Sequence, residues 1–155
     1  MANSAGVCIS FKAEVMMGYH QLGQPTLGTA RSTTTPTNDT IKCALYLASA
    51  SITPSTTAYT ATGEVSGGSY AAGGVTVTNA NPPVVNSTAG CWTPSASIVF
   101  PSATLASFDT ALLYNSSQGN RAIAVYTFTA QTITAGVLTL TMPANTIGNA
   151  LLQIS

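Results

Sequence analysis

The stretch Thr40-Ile41-Lys42-Cys43-Ala44-Leu45-Tyr46-Leu47 decides the fold. Ile41, Cys43, Leu45 and Leu47 point one way, and Lys42, Ala44 and Tyr46 the other. Successive side chains of a strand leave opposite faces of the sheet, so strict alternation of this kind reads as β. The pattern recurs downstream. Val75–Asn79 alternates Val75 and Val77 with Thr76 and Thr78, and Ser97–Phe100 alternates Ile98 and Phe100. Ala111–Tyr114 and Ala122–Phe128 follow, separated by a turn at Asn115–Asn120, and Gly136–Thr141 and Ala150–Ile154 come last. Ser51–Thr62, with Pro54, is turn-like, and the glycines from Gly63 to Gly74 give backbone freedom at a sheet corner. Roughly seven to nine short strands spaced by Gly, Pro, Asn and Ser predict an all-β, jelly-roll-like β-sandwich.

Upstream the period changes. Cys8, Phe11, Val15, Tyr19 and Leu22 recur at helical spacing and predict a helix over Val7–Leu22. Ser10 is its expected cap, and Gly23 suits the left-handed position after its end. Gly18 weakens the helix but admits another backbone close by. A short helix needs something to dock on: the domain's own sheet, or a neighbouring subunit. From Gln24 to Asn38 the chain is polar, Thr-rich and interrupted by Pro25 and Pro36, which reads as an extended arm. The organisation expected is a helical segment over 1–24, an arm or linker over 25–38, and a β-sandwich domain over 39–155.

The 155 residues suit one domain, and 45% of them are hydrophobic. Only 5% are charged, against roughly 25% in an ordinary soluble domain, and the charges sum to zero. Ser, Thr, Asn, Gln and Gly supply the polarity. A surface this neutral favours self-association, and it reads as one covered by neighbours in an assembly. Four basic residues do not neutralise a phosphate backbone, so nucleic acid is excluded as a partner. No apolar run approaches the roughly 20 residues of a membrane span. The start, MANSAGVCIS, has neither a basic nor an apolar leader region, so synthesis in a cytoplasm is expected. Cys8, Cys43 and Cys91 are odd in number and widely spaced, which fits small buried hydrophobes and neither a disulfide framework nor a zinc pair.

Catalysis needs titratable groups brought together, and this chain offers few. His20 is the single histidine; near the end of the helix it suits a surface or interface role beside the dipole. No serine sits in a nucleophile elbow, the four acids are far apart, and the Gly63–Gly74 stretch lacks the lysine of a phosphate loop. No enzyme activity, cofactor or metal is expected. The sequons at Asn38, Asn86 and Asn115 read as turns.

Several segments resemble a family of small virion proteins of tailed bacteriophages. Ser10-Phe11-Lys12-Ala13-Glu14-Val15-Met16-Met17-Gly18 is similar to its N-terminal helix, SFKxELMxG, and Asp39–Ala48 to its strand DTIKVALYTS. Tyr59–Gly74 is similar to YTxTNEVSGTGYTAGG, and its EVSG…Y…GG block is the most specific part. Ala111–Asn115 and Arg121–Tyr126 resemble its ALIYN and KAVAVL strands. The order agrees from Ser10 to Ile154; the Thr-rich arm at Thr29–Thr37 and the Pro-rich segment Asn81–Pro94 depart from it.

The resemblance implies a capsid cement, or decoration, protein on the outer surface of the virion head. Its implied partners are the major capsid protein and its own copies, as a dimer or else a trimer. It carries no catalytic residues. Phe11, Val15, Tyr19 and Leu22 are the expected interface anchors, since buried aromatics dominate interface energy. The rival function is a tail-fibre or baseplate module binding a receptor or carbohydrate, with Trp92 beside Pro94 as its aromatic platform.

Overall fold

The computed structural model describes residues 2–23 and 37–155. Most of the expected arm over 25–38 lies outside the described residues. The rest is an all-β sandwich of two antiparallel sheets and one short helix. The elements in chain order are β1 (Gly6–Val7), α1 (Ile9–Met16), β2 (Ile41–Leu47), β3 (Val75–Thr76), β4 (Val84–Asn86), β5 (Ala89–Trp92), β6 (Ile98–Asn115), β7 (Arg121–Leu140) and β8 (Leu152–Ile154). The large sheet runs β1-β7-β6-β2-β3 and the small one β4-β5-β8.

The alternating stretch that signalled the fold is central in the large sheet. Ile41 pairs with Asn115, Cys43 with Leu113 and Leu45 with Ala111. Both faces of β2 are covered, since Ala44 and Tyr46 are as buried as Cys43 and Leu45. The second cover is the loop between β2 and β3, and Glu64 organises it. Its carboxylate accepts from Tyr59 Oη at 2.6 Å, Tyr70 Oη at 2.7 Å and the Gly73 backbone N–H at 2.8 Å. Tyr46 Oη donates to the Thr60 carbonyl, Tyr114 Oη donates to that of Gly73, and the Tyr59 and Tyr114 rings stack at 4.9 Å. Gly74 has no alternative here: its φ is +69° and a Cβ would meet the Cys43 carbonyl.

Two pairs of expected strands are single strands. Ser97–Phe100 and Ala111–Tyr114 are the ends of β6, and Ala122–Phe128 and Gly136–Thr141 belong to β7. Bulges between them break the two-residue alternation, with Ser102 and Ala135 at positive φ, so the interior of the hairpin does not read as β. The small sheet arises partly from the Pro-rich segment, where no strand was expected. It packs its Trp92 and Leu152 into the common core, with Trp92 Nε1 donating to the Asn81 carbonyl at 3.0 Å.

The helix is shorter than its stripe. It spans Ile9–Met16, and the chain leaves it through Gly18 at φ +76°. The Gly18 N–H bonds the Val15 carbonyl and the Tyr19 N–H bonds that of Glu14, the paired closure of a Schellman motif. Gly18 therefore terminates the helix, the role expected of Gly23, and nothing lies within 4 Å of a Cβ there. Ser10 is not the cap: β1 runs directly into the helix, Cys8 holds the cap position, and the Ile9 N–H is satisfied by the Pro54 carbonyl.

Candidate functional site

The segment over residues 2–23 is woven into the sandwich. Asn3 Nδ2 donates to Asp109 Oδ1 at 2.6 Å, and Asn3 Oδ1 accepts from the Ile52 N–H at 2.8 Å. β1 adds to the edge of β7, pairing Gly6 with Val125 and Val7 with Ala124. Cys8 and Phe11 are wholly buried in the common core. The helix thus docks on its own domain, and residues 2–23 belong to the same folded body as the strands.

This placement divides the four expected anchors. Phe11 is 0% exposed and Leu22 is buried, whereas Val15 and Tyr19 are 37% and 41% exposed. Phe11 and Leu22 are corrected from interface anchors to core residues. Phe11 is buried because the helix docks on its own sandwich, and Tyr19 and Leu22 lie past the helix end at Gly18, so the stripe on paper is not one face in space. The outward face of α1 is instead Ile9 and Met16, 61% and 88% exposed, with Met17 beyond it. Their apolar character was visible in the sequence, but the stripe pointed at the opposite face. Met16 and Val15 border an open groove of about 530 Å³ that reaches Ile154 of β8.

Behind that surface lies the polar centre of the molecule. Glu14 is buried, and its two oxygens have different partners: Oε2 is 2.8 Å from His20 Nε2, and Oε1 is 2.7 Å from Arg121 Nη1. Asn115 Nδ2 lies 3.0 Å from His20 Nδ1 and 2.7 Å from Asp39 Oδ2. Asn115 donates to both, which makes Nδ1 the acceptor and Nε2 the donor to Glu14. Asp39 also accepts from the Gln21 N–H and from Gln118 Nε2, and Asn115 Oδ1 accepts from the Ser117 N–H, as in an Asx turn. The His20 side chain is wholly inside, its ring tilted against that of Phe11 with centres 4.7 Å apart. The expected surface role for His20 is corrected accordingly. The Arg121 guanidinium emerges over the Tyr19 ring, 4.6 Å from its centre, and borders an open polar cavity of about 570 Å³.

Chemically, every acid and base in this centre is already bonded to another protein group. The network ties α1, the chain at residues 20–21 and 39, and the β6–β7 turn into one unit. Among the described residues no three metal-ligating side chains converge. The three cysteines are free and buried, and burial pushes the Cys8 and Cys43 thiols up to about 12. Trp92 is 1% exposed, which removes the only aromatic platform the sequence offered for a sugar. No family model, no curated protein and no solved structure matches the chain.

Proposed function

We propose that this chain is a structural protein of a bacteriophage virion: a capsid cement subunit that holds the head by packing against the major capsid protein and further copies of itself. The observation that carries the reading is the character of the surface. Ile9, Met16 and Met17 on and after α1, and Val85, Val137 and Ile154 on the strands, face outward. No Asp, Glu, Lys, Arg or His occurs from Val65 to Phe108 or from Ala122 to Ser155, which spans β3, β4, β5, β8, most of β7 and the first part of β6. Bare aliphatics with no charge to keep copies apart belong under a neighbour. The inward bonding of Glu14, His20 and Asp39 supports the same reading, because it leaves surface contact as the work of the molecule. The resemblance of Ser10–Gly18 and Tyr59–Gly74 to small phage virion proteins supports the head location.

Reconstruction of purified virions with the chain tagged tests this. Many copies spread over the head are expected. A few copies at the tail, or none in the particle, would overturn it.

A further inference from the structure

The large sheet has a long open edge along β7. β7 is paired with β6 along its length, but on its other side it meets β1 only at Ala124 and Val125. Beyond Tyr126, among the described residues, no strand covers that side. The other uncovered edges are two- or three-residue strands and the Ile98–Leu105 side of β6, which the Gly68 bridge to Ala103 interrupts. Along an uncovered edge, alternate residues turn their N–H and C=O groups outward, ready to bond another strand. Natural edges are guarded by charge or proline, and Thr127–Leu140 contains neither. Its one guard is the kink at Ala135, φ +47°, after which Leu138–Leu140 runs in regular register against Ile98–Phe100.

We infer that Gly136–Leu140 of β7 pairs antiparallel with the same segment of a second copy, joining two large sheets across a two-fold axis. Such an axis sets each residue against its own image, so any charge near it meets a like charge. An edge with no charge at all is suited to its own copy, whereas nothing in it selects a differently charged partner. The side chains fit as well. With Leu138 on the axis, Val137 of one copy lies opposite Thr139 of the other on the exposed face, a pair of β-branched neighbours. Leu138 and Leu140, which are only partly buried, gain cover on the inner face.

The inference rests on the self-association in the reading above but not on the virion location. Two double variants test the edge and the register together by sedimentation of the purified full chain. Val137→Glu with Thr139→Glu places like charges opposite one another and is expected to raise the dimer dissociation constant more than about tenfold. Val137→Glu with Thr139→Lys places opposite charges there and is expected to remain dimeric. Val137 and its neighbours on that face are solvent-exposed, and circular dichroism verifies that both variants fold. A dimer indifferent to both variants would overturn this edge and leave self-association standing. A wild-type chain that stays monomeric would overturn both. If that monomer loses its hold on capsids in the double-Glu variant, the edge belongs to the capsid protein instead.

Discussion

Arg121, the first residue of β7, closes a 2.7 Å ion pair with Glu14 of α1 across 107 positions of sequence. The two ends of the pair differ in environment: the guanidinium is partly in solvent, and the carboxylate is inside. Breaking the pair from one side is therefore unlike breaking it from the other.

Arg121→Met leaves a buried carboxylate with His20 as its remaining hydrogen-bond partner. It should cost about 2–4 kcal/mol, less than a fully buried pair because solvent reaches Arg121. Glu14→Gln leaves an exposed cation and should cost about 1–2 kcal/mol. Urea unfolding of the two variants measures the order, and a larger loss for Glu14→Gln would contradict this account of the centre.

The two faces of α1 separate stability from binding. Phe11→Ala empties a core site and should cost about 3–5 kcal/mol. Met16→Ser changes an exposed side chain and should move stability by no more than about 0.5 kcal/mol. Under the cement reading, only Met16→Ser yields a well-folded protein with weakened capsid decoration. Co-sedimentation with undecorated capsids gives the second number.

Removing residues 1–24 should abolish cooperative unfolding. It takes away Cys8, Phe11 and Leu22 from the core, β1 from the sheet edge, Glu14 from Arg121 and His20 from Asn115. A truncated chain that melts sharply at the wild-type midpoint would show that the segment is an appendage.

Alkaline pH should weaken the fold in a defined window. Burial and the nearby Glu64 carboxylate push the Tyr59 and Tyr114 hydroxyls up to about 12, from an ordinary value near 10. Burial raises the Cys43 thiol to about 12, from 9.0. A raised folded-state value stabilises fully below the unfolded value, and that stabilisation is lost as pH climbs toward the folded one. Stability should thus be flat near neutrality and fall between about pH 9 and 12, by up to about 1.4 kcal/mol per pH unit for a buried thiol. Denaturant midpoints across that range measure the fall. In the native protein at pH 8 a thiol reagent should find Cys8 and Cys43 unreactive until denaturant is added.

β2 was legible because its pattern is local: seven residues in strict alternation specify a strand wherever they are placed. That its second face is also covered was not legible, since the cover comes from Tyr59, Tyr70 and Glu64 on a loop with no periodicity. β6 and β7 read as four short strands because bulges at Ser102 and Ala135 shift the register in mid-strand. The apolar stripe over Val7–Leu22 failed at Gly18, a residue whose left-handed turn a stripe does not register. The polar centre was invisible for a different reason. Glu14, His20, Asp39, Asn115 and Arg121 share no spacing, and only the closing of the hairpin against α1 brings them together.

The pairing of Gly6 with Val125 has a consequence for biosynthesis. A ribosome delivers β1 and α1 first, yet the strand that receives them is made more than a hundred residues later. The β6–β7 hairpin, by contrast, closes on itself through a short turn and is complete soon after it emerges. Until that happens Phe11 and its neighbours have no core to enter. Until β7 has emerged, the nascent chain therefore carries Phe11 and its apolar neighbours uncovered, and chaperones are the natural cover for them in that interval.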